Sequence, residues 1–508
     1  MDYALALIAG VLLALSFPRF GHPAIAWIAL VPLLLALSGW RGRAGPLPGQ
    51  PPLRALALGM AAGMAYFVGT VYWTSGVLST FGGLSAPLAA FAMLLLAAYL
   101  AIFPGIAAMV MARLMAGGGR PAIFFAPAAW VATEYARGFV FGGFPWVPLG
   151  NSQATVLPVA QVASLAGVYG LSALVALVNA SIAFALLTSG RTRLKTGGVT
   201  AALVVVVAVW GSWRVAEGSL TRQGTPIRVG LIQGNVSQQD KMASTPQIRR
   251  RVFTTYIAMT RDAVRRGAQY VIWPESATPF AYGQDPAGDT ALRDLAREVQ
   301  VPILFGSEEI VGGERPTWYN AAFLLAPDGR TAAVYRKIHL VPFGEFFPLQ
   351  DWISFAAPLV KRFMPASAGE SVVMLPVGSH STSTAICYEV VFPSLMREAV
   401  NKGSELLTTI TNDGWYGTSS APYQHFEMAS MRAIEQGRYL ARAANTGISG
   451  VVDPYGRVVR ASSIFEQVGL VEEARFLTSR TVYSKIGDVV AYVAIALLAV
   501  ALVVVRRT

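Results

Sequence analysis

Residues 198–236 run GVTAALVVVVAVWGSW (198–213), RVAEGSLTRQGTP (214–226) and IRVGLIQGNV (227–236). The first block carries no charge and no polar face, which suits a helix in lipid rather than one on a globular surface. The second block brings charge back. The third is an apolar run ending at Gly234-Asn235, the pattern of a buried β-strand. A membrane segment therefore gives way to a soluble α/β domain within residues 214–226.

Toward the N-terminus the first pattern recurs. Seven apolar runs, about 3–17, 24–39, 55–78, 86–112, 121–137, 156–189 and 198–213, are broken by Pro, Gly and Arg, and an eighth, 489–505, lies near the C-terminus. A spanning helix takes roughly 20 apolar residues, so the first two runs have the least defined ends. With the N-terminus inside, Arg41, Arg43, Arg54, Arg113, Arg120, Arg191, Arg193, Lys195, Arg506 and Arg507 face the cytoplasm, against Arg19 and Arg137 outside. This is the positive-inside asymmetry. Met1-Asp2-Tyr3 has no positive charge, so the first run reads as a retained helix and not a cleaved signal.

The whole chain fits this division. Of 508 residues, 54% are hydrophobic and 13% charged, with mean hydropathy +0.49. Soluble domains carry about 25% charged residues, so an ordinary cytosolic enzyme is excluded, as is disorder. The net charge is +12, but residues 214–487 hold 28 Lys+Arg against 25 Asp+Glu, which leaves +9 to the apolar remainder. A nucleic-acid-binding domain would carry its basic face on the soluble unit, so none is expected. One cysteine permits no intramolecular disulfide, and the sequence holds no internal repeat.

Within the soluble part, strand-like and helix-like stretches alternate. Strands are predicted at 227–236, 270–273, 301–306, 384–387 and 406–411, with hairpins at 321–325/331–335 and 447–452/457–461. Helices are predicted at 247–266, 291–299, 393–400 and 423–436, the first from apolar spacing at Val252, Tyr256, Met259 and Ala263. Such repeated βα units suggest an α/β sandwich.

Three strand ends carry reactive groups. Trp273-Pro274-Glu275-Ser276 projects a carboxylate past a proline that ends its strand, where α/β active sites collect. Tyr335-Arg336-Lys337 puts a lysine after another strand, and Glu345 follows a Pro-Gly turn. Cys387 lies between a strand and a helix whose N-terminus favours a thiolate. Taken singly, these could be a surface carboxylate, a salt bridge and a buried structural cysteine. Together they supply a base, a cation and a nucleophile. His339 or His425 could serve a Cys/His dyad instead. Four histidines and one cysteine give no metal-ligand spacing, and there is no Gly-rich phosphate loop.

The Trp-Pro-Glu, Arg-Lys and Cys-Tyr-Glu segments, in that order, resemble the three catalytic blocks of the nitrilase (carbon–nitrogen hydrolase) superfamily. The blocks 339–346 (HLVPFGEF), 411–417 (TNDGWYG) and 445–449 (NTGIS) are similar to those of bacterial apolipoprotein N-acyltransferases. So are 80–83 (TFGG) and 143–146 (GFPW) in the membrane part. The resemblance covers essentially the whole chain. It implies a multi-pass α-helical membrane bundle plus a nitrilase-like αββα sandwich. The expected division is 1–213, with seven transmembrane helices; 214–487, catalytic and extracytoplasmic; and 488–508, the eighth helix and a cytoplasmic tail.

The resemblance further implies ping-pong acyl transfer without a cofactor or metal. Glu275 would be the base, Cys387 the nucleophile that takes an acyl chain from a phospholipid, and Lys337 the oxyanion cation. The acceptor would be the α-amino group of the diacylglyceryl-cysteine of an apolipoprotein. Glu345 and Glu389 would orient Lys337 and the cleft, with Tyr388 and Trp415 lining the substrate site. A monomer in the bacterial inner membrane is expected, with the catalytic domain periplasmic and both termini cytoplasmic. The aromatic segment 343–365 would dip into the lipid interface. The family often has an aromatic after a lysine in its first block; here Met242 follows Lys241. A membrane-anchored amidase with water as acceptor is the alternative. A transporter is a third reading, disfavoured because only Glu134 is acidic within the proposed spans.

Overall fold

The computed structural model describes residues 1–40, 49–313, 316–342, 344–346 and 365–507. Arg41, Arg43 and most of the aromatic segment 343–365 lie outside them. The chain divides into two compact units: Met1–Gly218 with Ser419–Met431 and Thr481–Thr508, and Ser219–Thr418 with Arg432–Arg480.

The first unit is helical, and each predicted apolar run becomes helix. Among the described residues, four helices are long and apolar enough to cross a membrane: Pro52–Val71, Ala86–Gly118, Ala163–Leu187 and the stretch Gly190–Arg222. Asp2–Ala14, Pro23–Leu37 and Val489–Val505 are shorter. At about 1.5 Å per residue, the 13 residues of Asp2–Ala14 fall short of the hydrocarbon thickness. Run 24–39 is interrupted between Ala26–Ala29 and Val31–Leu37, where Pro32 removes a backbone donor. The Asn179 side chain bridges this break, accepting from Leu30 N (2.8 Å) and donating to Ala26 O (2.9 Å). Run 156–189 bends at Gly167, whose φ of +67° and contact with the Tyr483 ring leave no space for a side chain.

Small residues set the helix spacing, as in other membrane bundles. A Cβ on Gly59 would meet Pro104 O at 2.5 Å, and one on Gly63 would meet Ala101 Cα at 2.8 Å. Glu134 is buried and accepts from Leu149 N (2.7 Å) and Trp130 Nε1 (3.1 Å). Buried Arg137 donates to Trp146 O (2.7 Å). The acid noted in a span is thus used to fix the loop that follows it. Trp146 Nε1 in turn donates to Gln424 (2.8 Å), from the Ser419–Met431 piece of the same unit.

Among its described residues the second unit contains two six-stranded sheets. The strands are β1 Thr225–Gln233, β2 Tyr270–Ile272, β3 Ile303–Val311, β4 Thr317–Leu325, β5 Thr331–Arg336, β6 Leu375–Val377, β7 His380–Ile386, β8 Leu406–Thr411, β9 Leu440–Ala444, β10 Gly450–Val452, β11 Val458–Ala461 and β12 Val468–Phe476. The sheet orders are β12-β1-β2-β3-β4-β5 and β11-β10-β9-β8-β7-β6. In each sheet a parallel trio, β1-β2-β3 or β7-β8-β9, is flanked by antiparallel strands. The two sheets therefore share one pattern of strand directions, although the strand beside each trio arrives differently: β6 directly precedes β7, whereas β12 returns to β1 from the far end of the unit. Ile227, Val229, Leu231 and Ile272 of one sheet meet Ile386, Leu406, Ile410 and Ala441 of the other in a common core. Helices Pro246–Arg265 and Pro286–Val299 pack on the opposite face of the first sheet. The architecture is an αββα sandwich.

Capping chemistry accounts for the helix starts. Asp285 accepts from Gly288 N (3.1 Å) ahead of Pro286, so the helix predicted from 291 begins five residues earlier. In Pro246–Arg265 the buried face is Val252, Tyr256, Thr260 and Ala263. Thr260 takes the place expected for Met259 because its hydroxyl accepts from Trp273 Nε1 (2.8 Å).

The helix spacing is directly testable. Gly59→Leu should lower the melting temperature in detergent, at a cost of about 1–3 kcal/mol from overpacking. Gly76→Leu, at a position where a Cβ would meet nothing within 4 Å, should leave it unchanged. Equal melting of both variants would refute packing through Gly59.

Candidate active site

The parallel trios end in the loops that carry the predicted residues. Glu275 follows β2, and Cys387 and Asn412 directly follow β7 and β8; Lys337 follows the hairpin strand β5. All belong to the second unit. Pro274 ends the β2 ladder, and Gly306 in the neighbouring strand lets the loop close down. A Cβ there would meet Glu275 Cα at 2.7 Å and Pro274 O at 2.8 Å.

Glu275 and Lys337 are buried. The Lys337 ammonium lies 2.8 Å from Glu345 Oε1 and 3.5 Å from Glu275 Oε1. Asn320 Nδ2 donates to both carboxylates, at 2.7 Å to Glu275 and 2.9 Å to Glu345. Glu275 Oε2 accepts from Asn412 N (2.8 Å), and Glu345 Oε2 from Val341 N (2.8 Å). Burial alone would lower the Lys337 pKa. Glu345 and Glu275 outweigh it, with a smaller contribution from a charged Cys387, and hold the group above its ordinary value. It is an ammonium at neutral pH.

Cys387 is buried at a φ of +53°, a left-handed turn between β7 and the short helix Cys387–Val391. A non-glycine residue in that region is sparsely populated and strained. Thr411 and Tyr416 both hydrogen-bond the thiol. The thiol pKa is raised, first by burial and then by the Glu275 charge, with Lys337 opposing. This corrects the expectation that the helix N-terminus would favour a thiolate. Desolvation and a neighbouring carboxylate are larger effects than one turn of a short helix. The raised pKa favours the protonated thiol.

Glu389 ties together the segments that carry Lys337 and Cys387. Its Oε2 accepts from Ile386 N (2.7 Å), and its Oε1 accepts from Ile338 N (2.6 Å), His339 N (3.1 Å) and Tyr335 Oη (2.8 Å). The segments bearing Cys387 and Lys337 are thus joined through one carboxylate. Burial pushes its pKa up to about 7 against the opposing backbone donors and Lys337. Tyr388 is buried, edge-on to Phe392 (5.3 Å), while Trp415 is 37% exposed. The structure brings Glu275, Lys337, Glu345, Cys387, Tyr388 and Glu389 into one region and leaves Trp415 at a surface. His339 stacks flat on Phe392 at 4.1 Å, and His425 belongs to the first unit.

Several partners escaped sequence reasoning. Asp413 and Arg442 form an ion pair (3.0 Å) with both side chains fully buried. A Cβ on Gly447 would meet Asp413 Oδ2 at 2.2 Å, so only glycine fits beside it. Asn445 Nδ2 donates to Asn412 Oδ1 (3.0 Å) and to Val236 O (2.8 Å). Asn412, Asp413 and Asn445 lie in blocks noted in the sequence. Tyr416 lies in the 411–417 block as well, while Asn320 and Arg442 carried no signal beyond residue type.

Residues 9–181 match the family model of the apolipoprotein N-acyltransferase N-terminal domain, and residues 228–474 match that of the carbon-nitrogen hydrolase family. An apolipoprotein N-acyltransferase of Geobacter metallireducens is 38% identical, over 97% of this chain and 93% of its own. Those of Methylococcus capsulatus and Gloeobacter violaceus are each 35% identical, over 95% and 94% of this chain and 92% and 89% of theirs. Among solved structures, an amidase from Nesterenkonia sp. is 23% identical (TM-score 0.37), covering 50% of this chain and 93% of that one. Saccharomyces cerevisiae Nit3, a nitrilase-superfamily member, is 20% identical (TM-score 0.39), covering 49% and 90%. With apolar helices in the first unit, a carbon–nitrogen hydrolase sandwich in the second and such identity along nearly its full length, the chain is a membrane protein that belongs to the apolipoprotein N-acyltransferase family.

Proposed function

We propose that this chain is an apolipoprotein N-acyltransferase working through a Glu275–Lys337–Cys387 triad and a Cys387 acyl-thioester. The observation that carries the mechanism is a raised, buried thiol beside a carboxylate and a buried ammonium, in a chain with a membrane unit. In the first half-reaction Glu275 takes the Cys387 proton as the sulfur attacks an acyl ester of a phospholipid. The S–C bond forms, and the tetrahedral oxyanion is stabilised by Lys337. The C–O bond then breaks, and the lysophospholipid leaves with the proton from Glu275. In the second, the α-amine of a diacylglyceryl-cysteine attacks the thioester and loses a proton to Glu275. The C–S bond breaks, the proton returns to sulfur, and an amide remains.

In the same reading, residues 1–213 span the bacterial inner membrane seven times and residues 488–508 contribute an eighth helix. The catalytic domain, 214–487, is periplasmic and both termini are cytoplasmic, as the Lys/Arg asymmetry of the loops supports. Both substrates are lipids, so a cleft at the bilayer removes the need for either to enter water.

Intact-protein mass spectrometry after incubation with phospholipid alone should show an acyl-sized mass increase. The adduct should be lost to hydroxylamine and absent in Cys387→Ala. Addition of a diacylated lipopeptide should discharge it much faster than water does; equal decay to free fatty acid would replace the transferase with an amidase-like hydrolase. Glu275→Gln should slow thioester formation by about 10²–10⁴-fold, the usual worth of a positioned base.

Lys337→Met should cost about 3–4 kcal/mol in the acylation barrier. It should also move Cys387 alkylation to higher pH. Lys337 lowers the thiol pKa, so its removal raises that pKa and leaves less thiolate at pH 7. Alkylation at pH 7 that is as fast as in the wild type would refute the cation's role.

A further inference from the structure

The buried carboxylate of Glu275 is held at its side chain by Asn320, Lys337 and Asn412, but its main chain needs holding too. β2 ends at Ile272, and Ser276 adopts φ +48°. The carbonyls of Glu275 and Ser276 therefore leave the sheet ladder, and a buried carbonyl requires a donor. Lys241 supplies it, with Nζ donating to Ser276 O at 2.9 Å and to Glu275 O at 3.4 Å. Lys241 as a whole is partly exposed. An ammonium has three donors and no acceptor, so it can serve two carbonyls at once.

The helix that carries Lys241, Gln238–Ala243, reaches a second active-site loop. Gln238 Oε1 accepts from Asn412 Nδ2 (3.0 Å), and Asn412 N is the donor to Glu275 Oε2. Ser237 Oγ fixes the helix start by accepting from Asp240 N (3.0 Å), and Val236 N donates to Asn445 Oδ1 (3.0 Å). Residues 236–241 thus bracket Glu275 from both sides, through its own carbonyl and through the amide that orients its carboxylate. Burial brings the Lys241 ammonium down to about 8, with the Glu275 charge opposing. A lysine kept in such surroundings is held by the geometry it serves.

We propose that Lys241 is a positioning residue for acyl transfer, clamping the Glu275–Ser276 carbonyls so that the Glu275 carboxylate stays in reach of the Cys387 proton. It does not touch substrate. Small displacements of a catalytic group cost up to about 10²-fold in rate, so the effect belongs in kcat.

This rests on the triad reading above, and the test separates the two. Thioester formation is followed in the full-length enzyme with phospholipid in detergent micelles, for the wild type, Lys241→Met and Lys241→Gln. Failure of the wild type to form a thioester would remove the triad reading itself. Given that it forms, Lys241→Met should lose about 10–100-fold in kcat with KM for phospholipid within about two-fold. Lys241→Gln, which retains an N–H donor, should recover part of that loss, and it stays informative if the Met variant does not fold. A folded variant acylating at the wild-type rate, a change confined to KM, or losses that are the same in Gln and Met overturns the proposal.

Discussion

One buried cation organises the catalytic unit. Lys337 is only 1% exposed and faces two carboxylates, Glu275 and Glu345, with Asn320 donating to both. Removing a charge from water costs several kcal/mol unless it is paired and hydrogen-bonded. Lys337 can therefore sit there only if both acids do, and the acids only if their remaining oxygens are satisfied. Asn412 N and Val341 N meet that demand. Each donor fixes a loop, so the loops after β2, β5 and β8 are set by one electrostatic requirement.

The thiol fits into this arrangement without changing its net charge. In the proposed mechanism the Cys387 proton moves to Glu275, so negative charge passes from a carboxylate to a sulfur that Lys337 also faces. No ion enters or leaves the buried region. Burial raises the thiol pKa. In the proposed mechanism the same burial would strengthen the pull of Lys337 on the oxyanion, because a low dielectric magnifies it.

The parts of this structure that were legible in sequence are those set by local chemistry. The apolar runs became helices because nothing but lipid or core accepts residues such as 201–209. β1, β2 and β8 were read from apolar runs bounded by Gly, Pro or Asn. Glu275, Lys337 and Cys387 stood out because each follows a strand within a distinctive block. β9 was missed because Arg442 interrupts Leu440–Ala444, and a charge in a fully buried strand is tolerated only through its pair with Asp413, 29 positions away. β12 was missed because Glu472 and Glu473 mask the alternation of its paired edge with β1. The grouping of Ser419–Met431 with the membrane helices depends on contacts such as Trp146–Gln424, which no local pattern encodes.

The shared pattern of strand directions in the two sheets explains how scattered blocks reach one site. β1-β2-β3 and β7-β8-β9 are equivalent parallel trios, and their core faces meet. Loops at the carboxyl ends of parallel strands gather where α/β sites form. Glu275 follows the middle strand of one trio, and Asn412 follows the middle strand of the other. The hydrogen bond from Asn412 N to Glu275 Oε2 joins these equivalent positions across 137 residues of sequence. A carboxylate contributed by one half is oriented by the backbone of the other, so neither half could assemble the site alone. That dependence makes the packing of the two sheets the condition for this arrangement.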